Sequence, residues 1–173
     1  MLTKDMKDLI RAFNAHGVEY LLVGGYAFGV HAQPRATKDI DLFIRADARN
    51  SDAVFRALCQ YGAPLGGLSA KDFRDAKTGV QIGVPPNRID ILQQISGVTF
   101  DEAWKDRVNA MIEGDTPTYV ISRQNLIKNK LAAGREQDLL DVKQIQKTAA
   151  YAPKPPTPKT AKLKKKKRQG NPG

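Results

Sequence analysis

Cysteine, tryptophan and histidine are nearly absent from the chain, with one Cys, one Trp and two His in 173 residues. The single cysteine, Cys59, excludes an intramolecular disulfide and any cysteine-rich zinc site. It falls in a predicted helix beside Leu58 and is expected to be a small buried hydrophobe rather than a nucleophile. No apolar run approaches the ~20 residues a membrane helix needs. The N-terminus turns amphipathic at once, so no signal peptide is expected. These absences predict a cytoplasmic protein with no membrane partner. Internal repeats, a Walker loop, zinc-ligand spacing and a Ser/His/Asp constellation are missing as well. Gly24-Gly25 lacks the G-x-G-x-x-G spacing of a dinucleotide fingerprint.

Positive charge is plentiful but unevenly spread. Of the 28 Lys and Arg residues eight lie in 152–173, which holds no acidic residue, leaving 20 basic against 18 acidic residues in the rest. The folded part is therefore nearly neutral, and most of the net charge of +10 belongs to a tail. That tail is rich in Pro, Lys and Thr and has too little apolar content to offset its ordering entropy, so it is expected to be disordered. The run Lys164–Arg168 suits phosphate neutralisation on a nucleic acid. No aromatic is interleaved with it, so base stacking and sequence readout are not supported. A solubilising extension is the competing reading.

The periodicity divides the remainder into alternating helices and strands. Met6, Leu9, Ile10 and Phe13 mark an amphipathic first helix ending near Gly17. Strands are expected at about 19–23 and 40–44, with a short helix between them that ends before Pro34. Asn50 or Ser51 is expected to cap a third helix carrying an Ala53, Val54, Ala57, Leu58 and Tyr61 stripe. Two alternating strands, 79–84 and 88–92, are joined through Pro85-Pro86-Asn87. A short turn around Trp104, two more strands around Gly114-Asp115, and two helices broken near Gly134 complete the chain. The order predicts one domain over 1–150: an α/β fold with a mixed β-sheet and a helical C-terminal part at about 122–150, followed by the tail at 152–173.

The most informative pattern is Asp39-Ile40-Asp41 beyond Val23-Gly24-Gly25. In a strand, residues two apart share a face, so Asp39 and Asp41 project together while Ile40, Leu42 and Ile44 face a core. Two carboxylates side by side repel unless a cation lies between them, and an oxygen-only set suits a hard ion such as Mg²⁺ beside substrate phosphates. The glycines let backbone N–H groups approach a phosphate at a helix start. His31, alone on a short helix, is expected to be a polar packing residue.

This order of residues resembles the nucleotidyltransferase superfamily related to DNA polymerase β, whose signature is a Gly-Gly or Gly-Ser pair followed by Asp-x-Asp or Asp-x-Glu. Arg35-Ala36-Thr37-Lys38-Asp39-Ile40-Asp41 and the later run from Lys128 through Lys130 and Arg135 to Asp141 are similar to small bacterial stand-alone members, including AbiEii-like toxins of toxin–antitoxin pairs. The likeness covers roughly residues 1–150. It implies two Mg²⁺ ions, with Mn²⁺ as the alternative, held by Asp39, Asp41 and a third carboxylate, Asp90. It implies that Gly24 and Gly25 cradle the triphosphate of an NTP, ATP among them, with Arg35, Thr37, Lys38 and Lys130 near its phosphates. Arg135, Asp138 and Asp141 would brace or extend the site, against the plainer reading of a helix face laced with ion pairs. Many relatives carry Ser where this chain has Gly25, so that hydroxyl contact is missing. The implied reaction moves NMP from an NTP to a hydroxyl and releases pyrophosphate. RNA or a tRNA 3′ end, a protein side chain and an antibiotic-type small molecule all stay open as acceptors, and an antitoxin protein as a partner. The rival is a non-catalytic nucleotide- or RNA-binding module on the same fold.

Overall fold

The computed structural model describes residues 3–37, 39–75, 79–85, 87–112 and 114–149. The expectations for Lys38 and for the tail at 152–173 lie outside the described residues. The elements run α1 (Lys4–Ala15), β1 (Tyr20–Leu22), α2 (Gly24–His31), β2 (Asp39–Ile44), α3 (Ala48–Tyr61), a 3₁₀ turn (Ala70–Phe73), β3 (Val80–Ile82), β4 (Arg88–Leu92), α4 (Phe100–Lys105), β5 (Val108–Ile112), β6 (Thr116–Val120), α5 (Arg123–Ala133) and α6 (Glu136–Lys147). This is the mixed α/β arrangement that the periodicity implies.

The strands form one sheet in the order β3-β4-β2-β1-β6-β5. β2 runs parallel to β4 and β1 parallel to β6, while the β1–β2, β3–β4 and β5–β6 pairs are antiparallel. The apolar side chains of the central strands are buried, with Leu21, Leu22, Ile40, Leu42 and Ile44 fully inaccessible. α1 and α3 pack against each other, presenting Leu9, Ile10, Phe13, Val54 and Leu58 to the core. α2 touches β2 and also α5 and α6, which brings the two C-terminal helices to the glycine-started end of the sheet.

Local chemistry fixes the helix ends. Thr3 caps α1 by accepting from the Met6 N–H, and Ser122 caps α5 by accepting from Asn125. α3 begins earlier than expected: Asp47, not Asn50 or Ser51, is its cap, accepting from the Asn50 N–H at 2.7 Å. Asn50 is taken up elsewhere. Its buried side chain accepts from the Glu19 N–H and donates to the carbonyls of Glu19 and Arg45, clamping β1 to the end of β2. Cys59 is exposed, not buried. It follows Ala57 and Leu58 by a helical step of about 100°, which carries it past the buried stripe. Gly134, at φ 66°, turns the chain between α5 and α6, a left-handed conformation that costs glycine no Cβ clash.

Candidate active site

The parallel register of β2 and β4 sets Asp39 opposite Arg88 and Asp41 opposite Asp90. Registered residues on neighbouring parallel strands share a face, so three carboxylates and one guanidinium stand together. The expected opposite face is also found, with Ile40, Leu42 and Ile44 turned into the core. Arg88 was not anticipated as a site residue. Its Nη2 lies 2.7 Å from an oxygen of Asp39 and 3.2 Å from one of Asp90, bridging the two. A signal for it existed in the sequence: Arg88 is two residues from Asp90 on the same strand face, and a cluster of like charges calls for a counter-charge.

The carboxylates are strained electrostatically despite Arg88. Burial, then the nearby Asp90 and Asp39 charges, push the Asp41 carboxyl up to about 7. Burial also raises Asp90, against the opposing pull of Arg88. Oδ1 of Asp39 and Oδ1 of Asp90 are both buried without a hydrogen-bond partner. Buried acceptors are nearly always satisfied in proteins, and three neighbouring carboxylates, two of them with an orphaned oxygen, are a donor set whose chemistry suits a hard divalent cation. Among the described residues no group of three or more His, Cys, Asp or Glu side chains is placed so as to hold a metal ion as it stands, and Arg88 occupies oxygens of two of these carboxylates.

The start of α2 presses directly on this cluster. Gly24 has φ +60°, and a Cβ there would lie 2.2 Å from Oδ2 of Asp41. A Cβ at Gly25 would lie 2.7 Å from the Thr37 hydroxyl. Both glycines are therefore required by packing, and Thr37 Oγ1 fills the space beside Gly25. A cleft of about 630 Å³ opens here, bounded by Gly24, Gly25, Arg35 and Asp41 on one side and by Lys130 and Arg135 from the helical end on the other. Asp39 and Asp90 adjoin it through the strand face they share with Asp41. Arg35 lies over the Phe28 ring, 5.0 Å from its centroid, and its Nη2 is 2.9 Å from Asp141. His31 is a buried packing residue, its Nε2 2.7 Å from the Ile121 carbonyl oxygen.

The helical residues form a second charge cluster with a different character. Lys130 is buried, its Nζ 3.1 Å from Asp138 and 2.7 Å from Asp141. Asp138 also accepts from Arg135, and Asp141 from Gln137 and Arg35. Burial would raise the Asp138 carboxyl, but hydrogen bonds from Arg135 and Lys130 win and hold it below its usual value. All four carboxylate oxygens are thus engaged. The ammonium of Lys130 borders the cleft yet is committed to these partners, while Arg135 keeps 79% of its side chain exposed.

A six-stranded mixed sheet that sets acidic side chains under a glycine-started helix is a scaffold for phosphate chemistry. The chain belongs to the family described as "Nucleotidyltransferase of unknown function (DUF6036)", which matches residues 1–149. It is by that membership a nucleotidyltransferase. Among solved structures it is similar to ANT(2″)-Ia in complex with adenylyl-2″-tobramycin, with a TM-score of 0.55 and 14% identity over 81% of this chain and 84% of that one. At that identity the likeness concerns the fold. No protein of curated function matches the sequence.

Three outcomes test this geometry. Asp41 is held up to about 7 from an ordinary 3.8, so in metal-free buffer the folded state is favoured while it is protonated. That contribution is complete below about pH 4 and lost as pH rises through about 7. Urea unfolding in EDTA should show wild-type stability falling, relative to Asp41→Asn, by on the order of 3 kcal/mol between about pH 5 and 8; parallel profiles would refute the buried repulsion. Gly24→Ala should cost about 1–2 kcal/mol from the positive φ and swing the Asp41 carboxylate aside, so stabilisation by divalent cations in thermal melts should vanish. Lys130→Met should destabilise by about 3 kcal/mol because it removes the one buried cation shared by two buried carboxylates, leaving each with a partly or largely exposed arginine, and adding Asp141→Asn should recover part of that loss in the same denaturation assay.

Proposed function

We propose that this nucleotidyltransferase transfers NMP from an NTP to a hydroxyl in a Mg²⁺-dependent reaction, with Asp39, Asp41 and Asp90 as the metal-holding carboxylates. The observation that carries this reading is the trio on β2 and β4 with two orphaned oxygens beneath the start of α2. Bound there, Mg²⁺ would supply charge neutralisation for the phosphates and the attacking oxygen. The backbone N–H groups at Gly24 and Gly25, at the positive end of α2, would receive phosphate oxygens. Thr37 stands beside them and could replace the hydroxyl that Gly25 lacks. Arg35 and Arg135 border the same cleft, and Lys38 belongs to this reading by sequence. Lys130 contributes as the buried brace that positions Arg135 and the helical wall. The acceptor oxygen attacks the α-phosphorus, the bond to the bridging oxygen breaks, and pyrophosphate leaves. The acceptor proton passes to Asp90, which burial makes a better proton acceptor than an exposed carboxylate.

The acceptor we favour is RNA, because the eight basic residues and no acidic one in 152–173 suit phosphate neutralisation. A small hydroxylated acceptor is the second reading, supported by the fold likeness to a protein solved with adenylyl-2″-tobramycin. Action as a toxin restrained by an antitoxin would be a use of the same transfer. Among the described residues no helix is long and apolar enough to cross a membrane.

Incubation with each α-labelled NTP, Mg²⁺ and total cellular RNA tests the proposal. Label should enter RNA for at least one NTP, and Asp39→Asn should abolish it while the protein stays folded. Label in a hydroxylated small molecule but never in RNA would favour the second acceptor. Full transfer by Asp39→Asn would refute the metal assignment.

A further inference from the structure

A second cleft, of about 680 Å³, lies along one face of α6. Leu140, Lys143, Gln144 and Lys147 line it, the i, i+3, i+4, i+7 positions of a single helical stripe, together with Gln33 from the segment after α2. Gln137 lines both this cleft and the one at the carboxylates, so the two meet at that side chain. Gln137 is itself anchored, donating to Asp141 at 2.9 Å. Among the described residues no acidic side chain lines the α6 cleft, whereas Asp41 and Asp138 line the first. Leu140 is 52% exposed, a large apolar side chain left at the surface between the two lysines and the catalytic end.

Lys143 and Lys147 are one turn apart, about 6 Å along the helix axis, a separation comparable with that of neighbouring phosphates on a strand. The covalent chain then continues past Lys147 to Lys154, the first tail lysine. Seven residues span at most about 25 Å, so the basic tail begins within reach of this cleft whatever conformation it takes. Among the described residues no aromatic side chain lines the groove, so the contacts these residues offer are to phosphate and sugar rather than to stacked bases.

We propose that the α6 cleft receives the phosphate backbone of a single-stranded nucleic acid, with Lys143 and Lys147 each neutralising a phosphate and Leu140 supporting a sugar. The strand's terminal hydroxyl passes Gln137 to reach the nucleotide held at the first cleft. Binding is sequence-independent, because the contacts are to phosphate and sugar. This placement rests on the nucleotidyl-transfer reading of the first cleft and names its acceptor as a nucleic acid strand.

The test uses the full chain with both lysines changed, Lys143→Gln and Lys147→Gln, at positions exposed enough to leave the fold alone. Affinity for a fluorescent single-stranded oligouridylate is measured at several salt concentrations. Two lost phosphate contacts should weaken binding and flatten the plot of log affinity against log salt by about 1.4, roughly 0.7 per contact. Thermal stabilisation by NTP and divalent cation should be unchanged. A second full-chain variant with Lys164–Arg168 replaced by glutamines should lose affinity separately from the cleft variant. Unchanged affinity and slope for Lys143→Gln/Lys147→Gln would overturn the proposal, and so would loss confined to the tail variant. Loss of NTP stabilisation would overturn it too, since the lysines would then belong to the nucleotide cleft. Strand binding that depends on Lys143 and Lys147 without any NTP-dependent labelling would instead sustain the surface and sink the transfer reading.

Discussion

Negative charge crowded onto two adjoining strands is the constraint around which this molecule is organised. A sheet register that pairs Asp41 with Asp90, and sets Asp39 opposite Arg88, concentrates three carboxylates where burial penalises the charged forms of Asp41 and Asp90. Arg88 offsets part of the repulsion by bridging Asp39 and Asp90. It does not reach the remaining oxygens, two of which stay buried and unpartnered. Gly24 lies close against this cluster: a Cβ there would meet Oδ2 of Asp41 at 2.2 Å, so any larger residue would displace that carboxylate. A fold that maintains such a cluster carries its electrostatic cost in the resting state.

The two charge clusters of the molecule differ in one telling respect. In the helical cluster every oxygen of Asp138 and Asp141 is met by Lys130, Arg135, Gln137 or Arg35. In the strand cluster, oxygens of Asp39 and Asp90 are left over. A saturated buried network fixes geometry, and an unsaturated one has capacity for a further partner. Saturation therefore separates a brace from a binding centre, although both are made of aspartates and basic residues. The brace still serves the site: Arg35, on the segment leading into β2, and Lys130, on α5, meet at Asp141 on α6. Three stretches of chain distant in sequence are tied together at the rim of the cleft.

Much of this was legible in the sequence, and the gaps have physical causes. Period-two alternation gave Asp39 and Asp41 a common face, and the isolated charge in Ile89-Asp90-Ile91 marked the neighbouring strand. The element order and the mixed sheet followed from the same patterns and from the breaks at Gly134 and around Pro85. Arg88 stands two residues from Asp90, a local signal, but its bridge to Asp39 depends on register between strands far apart in sequence, which no local pattern encodes. Asn50 looked like a cap because asparagine favours that position, yet tertiary contacts with Glu19 and Arg45 claimed its amide while Asp47 took the cap. Cys59 was misjudged because residue-type preference for burial says nothing about which side of a helix faces out. Lys130 drew attention as a cation near a motif, but its burial against two aspartates arises only when α5 and α6 fold together.

The distribution of charge also divides the labour of binding between body and tail. With 20 basic against 18 acidic residues outside 152–173, the body has almost no long-range field to attract a polyanion. Its cations are local: Arg88 is engaged by Asp39 and Asp90, Arg35 by Asp141, and Lys130 by two carboxylates. Such groups orient a ligand that has already arrived, since a pair screened by its own counter-charge projects little potential beyond a Debye length of about 8–10 Å. The tail has the opposite properties, eight positive charges with no acidic residue to cancel them. The long-range positive field of the chain therefore originates in the tail, and a charge-only segment needs no fixed structure to neutralise phosphates, because counterion release depends on charge and not on order.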